Sequence, residues 1–159
     1  MKMVSTQRRH NAQVRMADVS AKPPILRTAV ARCELVMKPR TLATIKAGKL
    51  PKGDVWPVAQ VAGILATKRT AELIPLCHPI SINHVTLRQE LNGRCVTIEA
   101  EVTTTAPTGP EMEALTAAAV AALTVYDMCK VIEQRGIVIR QLYLVSKSGG
   151  KSGTWRRHQ

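Results

Sequence analysis

An α+β architecture, an antiparallel sheet with helices packed on one face, is predicted by three features of this 159-residue chain. Two runs of alternating apolar and polar residues, 80–91 and 94–105, flank Asn92-Gly93, the strongest short-range hairpin signal. The segment 109–130, GPEMEALTAAAVAALTVYDMCK, reads as one long alanine-rich helix. Aromatic residues are scarce, with no Phe, two Trp and two Tyr. The core must then be built from Ala, Val, Leu and Ile, which favours close helix-on-sheet packing.

The elements follow in order. Pro23-Pro24 closes a leading stretch without a clear element, and residues 25–37 alternate as a strand. Pro39 precedes a short helix over 40–47, stopped by Gly48. Asp54 is placed to cap a longer helix from Val55 to about residue 73, with Pro57 tolerated in its first turn. Pro75 and Pro79 bracket the turn LCHP before the hairpin. Thr108 as N-cap with Glu111 three residues on forms a predicted capping box for the alanine-rich helix. Gly136 ends that helix, residues 137–145 form a last strand, and a polar, glycine-rich tail finishes the chain. The order is β-α-β-β-α-β, with the first crossover broken into two helices, which is ferredoxin-like connectivity.

The length suits a single domain, residues 16–159, with a flexible Gly/Lys-rich segment from about 147. Residues 1–15 are basic, short and poor in apolar residues, and read as a disordered arm rather than a transit peptide. No uninterrupted apolar run reaches the ~18 residues of a bilayer span, and there is no secretory apolar region. Cys33, Cys77, Cys95 and Cys129 are widely spaced without a Cys-x-x-Cys pair, which suits reduced thiols in a cytoplasmic protein. The net charge of +12 resides mainly in the two ends. Terminal basicity fits segments that meet an anionic ligand, or solvated tails.

Several segments carry candidate chemistry. Asp127 and Lys130 are three apart on a helix and share a face. Such a pair is by default a surface ion pair. The apolar neighbours Leu123, Tyr126, Met128 and Cys129 point instead to a partly buried pair with coupled ionisations, able to act as acid and base. Lys52 sits in a loop just ahead of a helix and can face a ligand. His78, in the turn Leu76-Cys77-His78-Pro79, suits acid–base work or donation to an anion. No second His or acid lies near it at ligand spacing, so no metal site is expected. Glu111 is accounted for as a cap; Glu113 is not. The tail Lys147-Ser148-Gly149-Gly150-Lys151-Ser152-Gly153 contains Gly-Lys-Ser but fails as a Walker A loop, because the required first glycine position is Val145. What survives is either a phosphate site built on glycine N–H groups and lysines, or a flexible basic tail.

Together these segments resemble the molybdenum cofactor biosynthesis protein C family, the cyclic pyranopterin monophosphate synthases. The matching stretches are MADVS at 16–20, KGDV at 52–55, KRT at 68–70, LIPLCHPI at 73–80, EMEALTAAAVAALTVYDMCK at 111–130 and KSGGKSG at 147–153. They lie in family order over nearly the whole chain from residue 16, and the long helical match is highly specific. Pro110 stands where the family more often has a β-branched residue, and Ala17 replaces a usual Val.

The resemblance implies a lyase that converts a cyclised dihydroguanosine triphosphate into cyclic pyranopterin monophosphate with loss of pyrophosphate. The substrate comes from a radical SAM cyclase, and no redox cofactor is needed. It further implies a homohexamer, a trimer of dimers. By position, Asp127 matches the catalytic acid/base, with Lys130 and Lys52 the lysines beside it. Leu76, Cys77, His78, Met112 and Glu113 match substrate contacts, and Lys147 matches a lysine near the triphosphate. Lys151 joins it on the composition of the tail.

An RNA-binding module is the competing class for a small basic domain of this kind. Such sheets present aromatics for base stacking, and neither hairpin strand contains Phe, Tyr or Trp. A non-catalytic nucleotide-binding protein of the same fold is separated from the enzyme by pyrophosphate release. Glu113 and Asp127 lie about 21 Å apart along a helix axis at about 1.5 Å per residue. The two polar ends are therefore expected to serve one site only through a second chain, with the smooth alanine-rich middle as the contact between chains.

Overall fold

The computed structural model describes residues 14–151 and 153–158; most of the predicted arm, residues 1–13, lies outside the described residues. β1 (Ile25–Val36) leads through α1 (Pro39–Lys46), α2 (Val55–Lys68) and the single turn α3 (Thr70–Leu73) to the hairpin β2 (Ile82–Asn92) and β3 (Cys95–Ala106). α4 (Glu111–Cys129), β4 (Val138–Ser148) and β5 (Trp155–Arg156) complete the chain. The sheet order is β2-β3-β1-β4-β5, antiparallel throughout. Its first four strands have the expected ferredoxin-like arrangement.

Period-two alternation sets which face of the sheet is buried. On β1, Ala29, Ala31, Cys33 and Leu35 are buried, and the register sets them opposite Val102, Ala100, Ile98 and Val96 of β3. α4 lies across this strip through Ala114, Ala117, Ala118, Ala121, Ala122 and Val125, all buried. The smooth face of α4 is thus spent inside its own chain, against β1, β3 and α2, and not on a second chain as its composition suggests. α4 has the length and hydropathy of a membrane span, but half of that window is buried within the protein. α2 crosses close to α4 at Gly63, where an added Cβ would meet Leu87 Cδ2 at 2.5 Å and the Ala117 carbonyl at 3.1 Å.

Four boundaries differ from expectation, each for a local reason. The long second helix breaks at Arg69, where the Thr70 hydroxyl donates to the carbonyls of Ala66 and Thr67 (3.1 Å each). The capping box does not form. Pro110 occupies the N-cap position of α4 with no side-chain cap, and Glu111 turns to Lys147 instead (3.0 Å). α4 stops at Cys129 rather than near Gly136, because the chain tightens into a turn in which the Ile132 and Glu133 amides both donate to the Cys129 carbonyl (3.0 Å). The glycine-rich tail turns back so that β5 pairs with Ser146 and Lys147 of β4. The Asp54 cap forms as expected, accepting from the Trp56 amide at 3.1 Å.

Because the carbonyl of Ala117 cannot retreat, filling the space at Gly63 must push α2 off α4. Gly63→Val is expected to lower unfolding stability in urea by about 1–3 kcal/mol without changing the far-ultraviolet spectrum. Unchanged stability would mean that the two helices do not pack at this separation.

Candidate active site

α4 carries polar groups at both ends, and each end gathers a separate cluster. At its C-terminal end the Asp127 carboxylate lies between two ammoniums. Lys130 Nζ reaches Oδ1 at 2.6 Å, one turn along the helix, and Lys52 Nζ reaches Oδ2 at 2.7 Å and the Asp127 carbonyl at 3.2 Å. Lys52 is delivered by the turn after α1, closed by the Gly53 amide on the Leu50 carbonyl and seated by the buried Leu50 side chain. The cluster is more open than its apolar flanks suggest: the Asp127 and Lys130 side chains are 52% and 53% exposed. Lys130 first, and then Lys52, hold the Asp127 carboxyl down to about 2. Asp127 in turn raises the Lys130 ammonium above its ordinary value. At neutral pH the cluster therefore offers one carboxylate acceptor and two ammonium donors.

At the N-terminal end of α4, Glu113 is buried, and its Oε2 has no hydrogen-bond partner among the described residues. Desolvation raises its pKa. The Cys77 thiol donates to Glu113 Oε1 at 3.6 Å. Burial first, and the Glu113 charge second, push the Cys77 thiol up to about 11. Cys77 therefore stays protonated at neutral pH and serves as a donor, not a nucleophile. Leu76 and Met112 are exposed and His78 is half-buried. Asp18 lies within electrostatic reach of His78, its own carboxyl held below the usual range chiefly by the Ser20 amide.

Beside this end lies a cleft of about 500 Å³ lined by residues including Lys22, Arg27, Gly109, Glu111, Gly150 and Lys151. Its volume is within the range of small-molecule sites. Lys147, paired with Glu111, borders the adjoining hollow with Gly149 and Gly150. Both glycines have positive φ (85° and 81°), and a Cβ on Gly149 would sit 2.5 Å from the Leu26 carbonyl. Only glycine lets this loop close over β1 while presenting its backbone to the cleft.

The predicted residues therefore form two groups. Asp127, Lys130 and Lys52 meet at one end of α4; Cys77 meets Glu113 at the other, where Leu76, His78 and Met112 flank them and Lys147 and Lys151 edge the adjacent cleft. Fourteen positions of helix, about 21 Å, separate Glu113 from Asp127. Sequence reasoning missed Arg27, which lines the cleft with its guanidinium anchored to the carbonyls of Ala106 (3.0 Å) and Pro107 (3.1 Å). Its position near the start of a strand gave no local signal; its partners lie about eighty residues away. A further hollow of about 750 Å³ lies around β4 and β5 between Arg32, Tyr143 and Arg157 and contains none of the predicted residues.

The chain is similar to known proteins over most of its length. The cyclic pyranopterin monophosphate synthase of Thermomicrobium roseum is 54% identical over 147 residues, covering 91% of this chain and 88% of that protein. The protein of that name from Geobacter sulfurreducens is 53% identical over 146 residues, covering 91% of both chains. That from Chloroflexus aurantiacus is 52% identical over 145 residues, covering 90% and 88%. The MoaC family matches residues 16–150, a span that takes in both ends of α4 and the loops that face them, and the chain belongs to that family.

Proposed function

We propose that this protein is a cyclic pyranopterin monophosphate synthase, a lyase that turns a cyclised dihydroguanosine triphosphate into cyclic pyranopterin monophosphate and releases pyrophosphate in molybdenum cofactor biosynthesis. The observation that carries this reading, within the family, is Asp127 clamped between Lys130 and Lys52. The reaction has two demands. Protons must be moved as the ring system opens and recloses. A ribose hydroxyl oxygen must then bond to the α-phosphorus while the bond from that phosphorus to the pyrophosphate oxygen breaks.

The Asp127 cluster suits the proton transfers. Its lysines are the donors, and a lysine that has given up its proton is the base that receives one in the next step. Asp127, held down to about 2 by the two lysines, is the ionised member of the cluster at neutral pH. It holds both lysine side chains in place. The cleft beside the other end suits the triphosphate. Lys147, Lys151, Arg27 and the N–H groups of Gly149 and Gly150 would neutralise charge as pyrophosphate leaves. Cys77, His78, Met112 and the open oxygen of Glu113 suit the heterocycle, with Leu76 at the rim.

A cyclised nucleotide does not span about 21 Å with its reacting atoms at both ends. One site therefore combines the Glu113 end of one chain with the Asp127 end of another. We place this site at subunit interfaces of a hexamer built from dimers. Because the alanine face of α4 is already buried, the contact between chains falls on other surfaces, and Val58, Val61 and Leu65 of α2 are an exposed apolar strip suited to it. The substrate would come from a radical SAM cyclase in the cytoplasm, and the enzyme needs no redox cofactor.

Pyrophosphate release from the cyclised nucleotide tests the function directly. Asp127→Asn and Lys130→Ala are each expected to reduce turnover to background with the fold intact by circular dichroism. Full activity in either would remove that residue from the mechanism. Lys147→Ala should mainly weaken substrate binding, read by calorimetry with a triphosphate analogue, and unchanged affinity would contradict its placement. Cys77→Ser should keep activity within about tenfold, and alkylation of Cys77 should stay slow at neutral pH and accelerate only toward about 11. Rapid alkylation at pH 7 would show a thiolate instead.

A further inference from the structure

We infer that Glu133 is a positioning residue for the Lys52–Asp127–Lys130 cluster, a clasp that holds the segment carrying Lys52 against the end of α4. The inference rests on the reaction proposed above, but its geometry stands apart from it. Glu133 is 2% exposed and lies three residues beyond Lys130. Its backbone amide donates to the Cys129 carbonyl at 3.0 Å, which ties it to the last turn of α4, two residues from Asp127. Its side chain crosses to the start of α1, where Oε2 accepts the Lys38 amide at 3.0 Å and the Thr41 hydroxyl at 2.6 Å. One residue thus bonds both segments that meet at Asp127.

Two further observations argue that the clasp is built for this place. α1 has no side-chain cap of its own, and Glu133 accepts the amide of its N-cap residue Lys38 from another segment, the bond that the Glu of a capping box makes locally. Gly136, at φ 116°, packs against it: a Cβ there would lie 2.7 Å from Glu133 Oε1, so the following turn is shaped around the carboxyl. Glu133 Oε1 itself is buried without a partner among the described residues. From the clasp the chain runs through α1, with Leu42 and Ile45 buried, to buried Leu50 and then Lys52. A shift at the start of α1 is carried to the lysine because the intervening side chains are packed. Lys52 itself is 40% exposed and has only Asp127 to hold it among the described residues. Misplacement of a catalytic group by about 1 Å costs as much as about 100-fold in rate.

The test uses the full-length protein and three variants, Glu133→Ala, Glu133→Asp and Thr41→Val, each checked for fold by circular dichroism. Glu133→Ala is expected to lower kcat by about 10- to 100-fold with KM within about twofold. Glu133→Asp should recover part of that loss, and Thr41→Val, which removes one of the two bonds, should lose less. If Glu133→Ala does not fold, Thr41→Val carries the same comparison. Amide hydrogen exchange without substrate should quicken at Lys38 and in the turn 50–53 in the variants. A folded Glu133→Ala with unchanged kcat, a loss confined to KM, or unchanged exchange in the turn 50–53 would overturn the inference. Wild-type protein that releases no pyrophosphate would instead defeat the proposed reaction, and the exchange measurement would still decide whether the clasp holds the loop.

Discussion

The separation at which α4 can pack on the sheet and on α2 is set by the smallest side chains in the molecule. Alanines of α4 lie over Ala29 and Ala31 of β1 and Ala100 of β3, and Gly63 of α2 nearly touches the Ala117 carbonyl. Dispersion and burial act over many such close contacts, and little side-chain entropy is lost because alanine and glycine have none to lose. The consequence for function is mechanical. α4 is embedded in the domain along one whole face, so the groups at its two ends are positioned by a packed helix.

The two ends are electrostatically opposite in design. At one, a carboxylate faces solvent and is satisfied twice over by lysines, so it is ionised and poorly basic. At the other, a carboxyl is buried, half unsatisfied, pushed toward its neutral form, and touched by a thiol that is itself kept protonated. The first arrangement suits the proposed exchange of protons with a ligand that arrives from solvent. The second waits for a hydrogen-bonding ligand, because an unpartnered buried oxygen is costly until something donates to it. The two ends thus offer complementary chemistry, which is the physical basis for the proposal that they join across chains.

Much of the fold was legible because it rests on local patterns. The alternation of β1 and of the hairpin, Asn92-Gly93 and the alanine-rich segment each announced themselves within a dozen or so residues, and their order dictated the topology. What was not legible depends on partners distant in sequence. The failed capping box at Thr108 turns on Lys147, which draws Glu111 away at 3.0 Å. β5 exists because the edge of β4 is available to it. At the candidate site, the residue types were readable from the family-like motifs, and the adjacency of Asp127 and Lys130 from helical spacing. The pairing of Lys52 with Asp127 spans 75 positions and has no local sequence signal; only the family resemblance set the two side by side. Glu133 belongs to no motif and carries no local signal of its contacts. Its meaning came only from Lys38 and Thr41, more than ninety positions away.

The central claim is that the Glu113 end of one chain and the Asp127 end of another make one site. It is tested most directly by mixing two inactive variants, Glu113→Ala and Lys130→Ala, under conditions that dissociate and reassemble the oligomer, and measuring pyrophosphate release from the cyclised nucleotide. A mixed assembly can pair an intact Glu113 end with an intact Asp127 end, so activity should return to a substantial fraction of wild type while each variant reassembled alone stays inactive. Mixed oligomers, verified by mass, that remain as inactive as the separate variants would contradict the account.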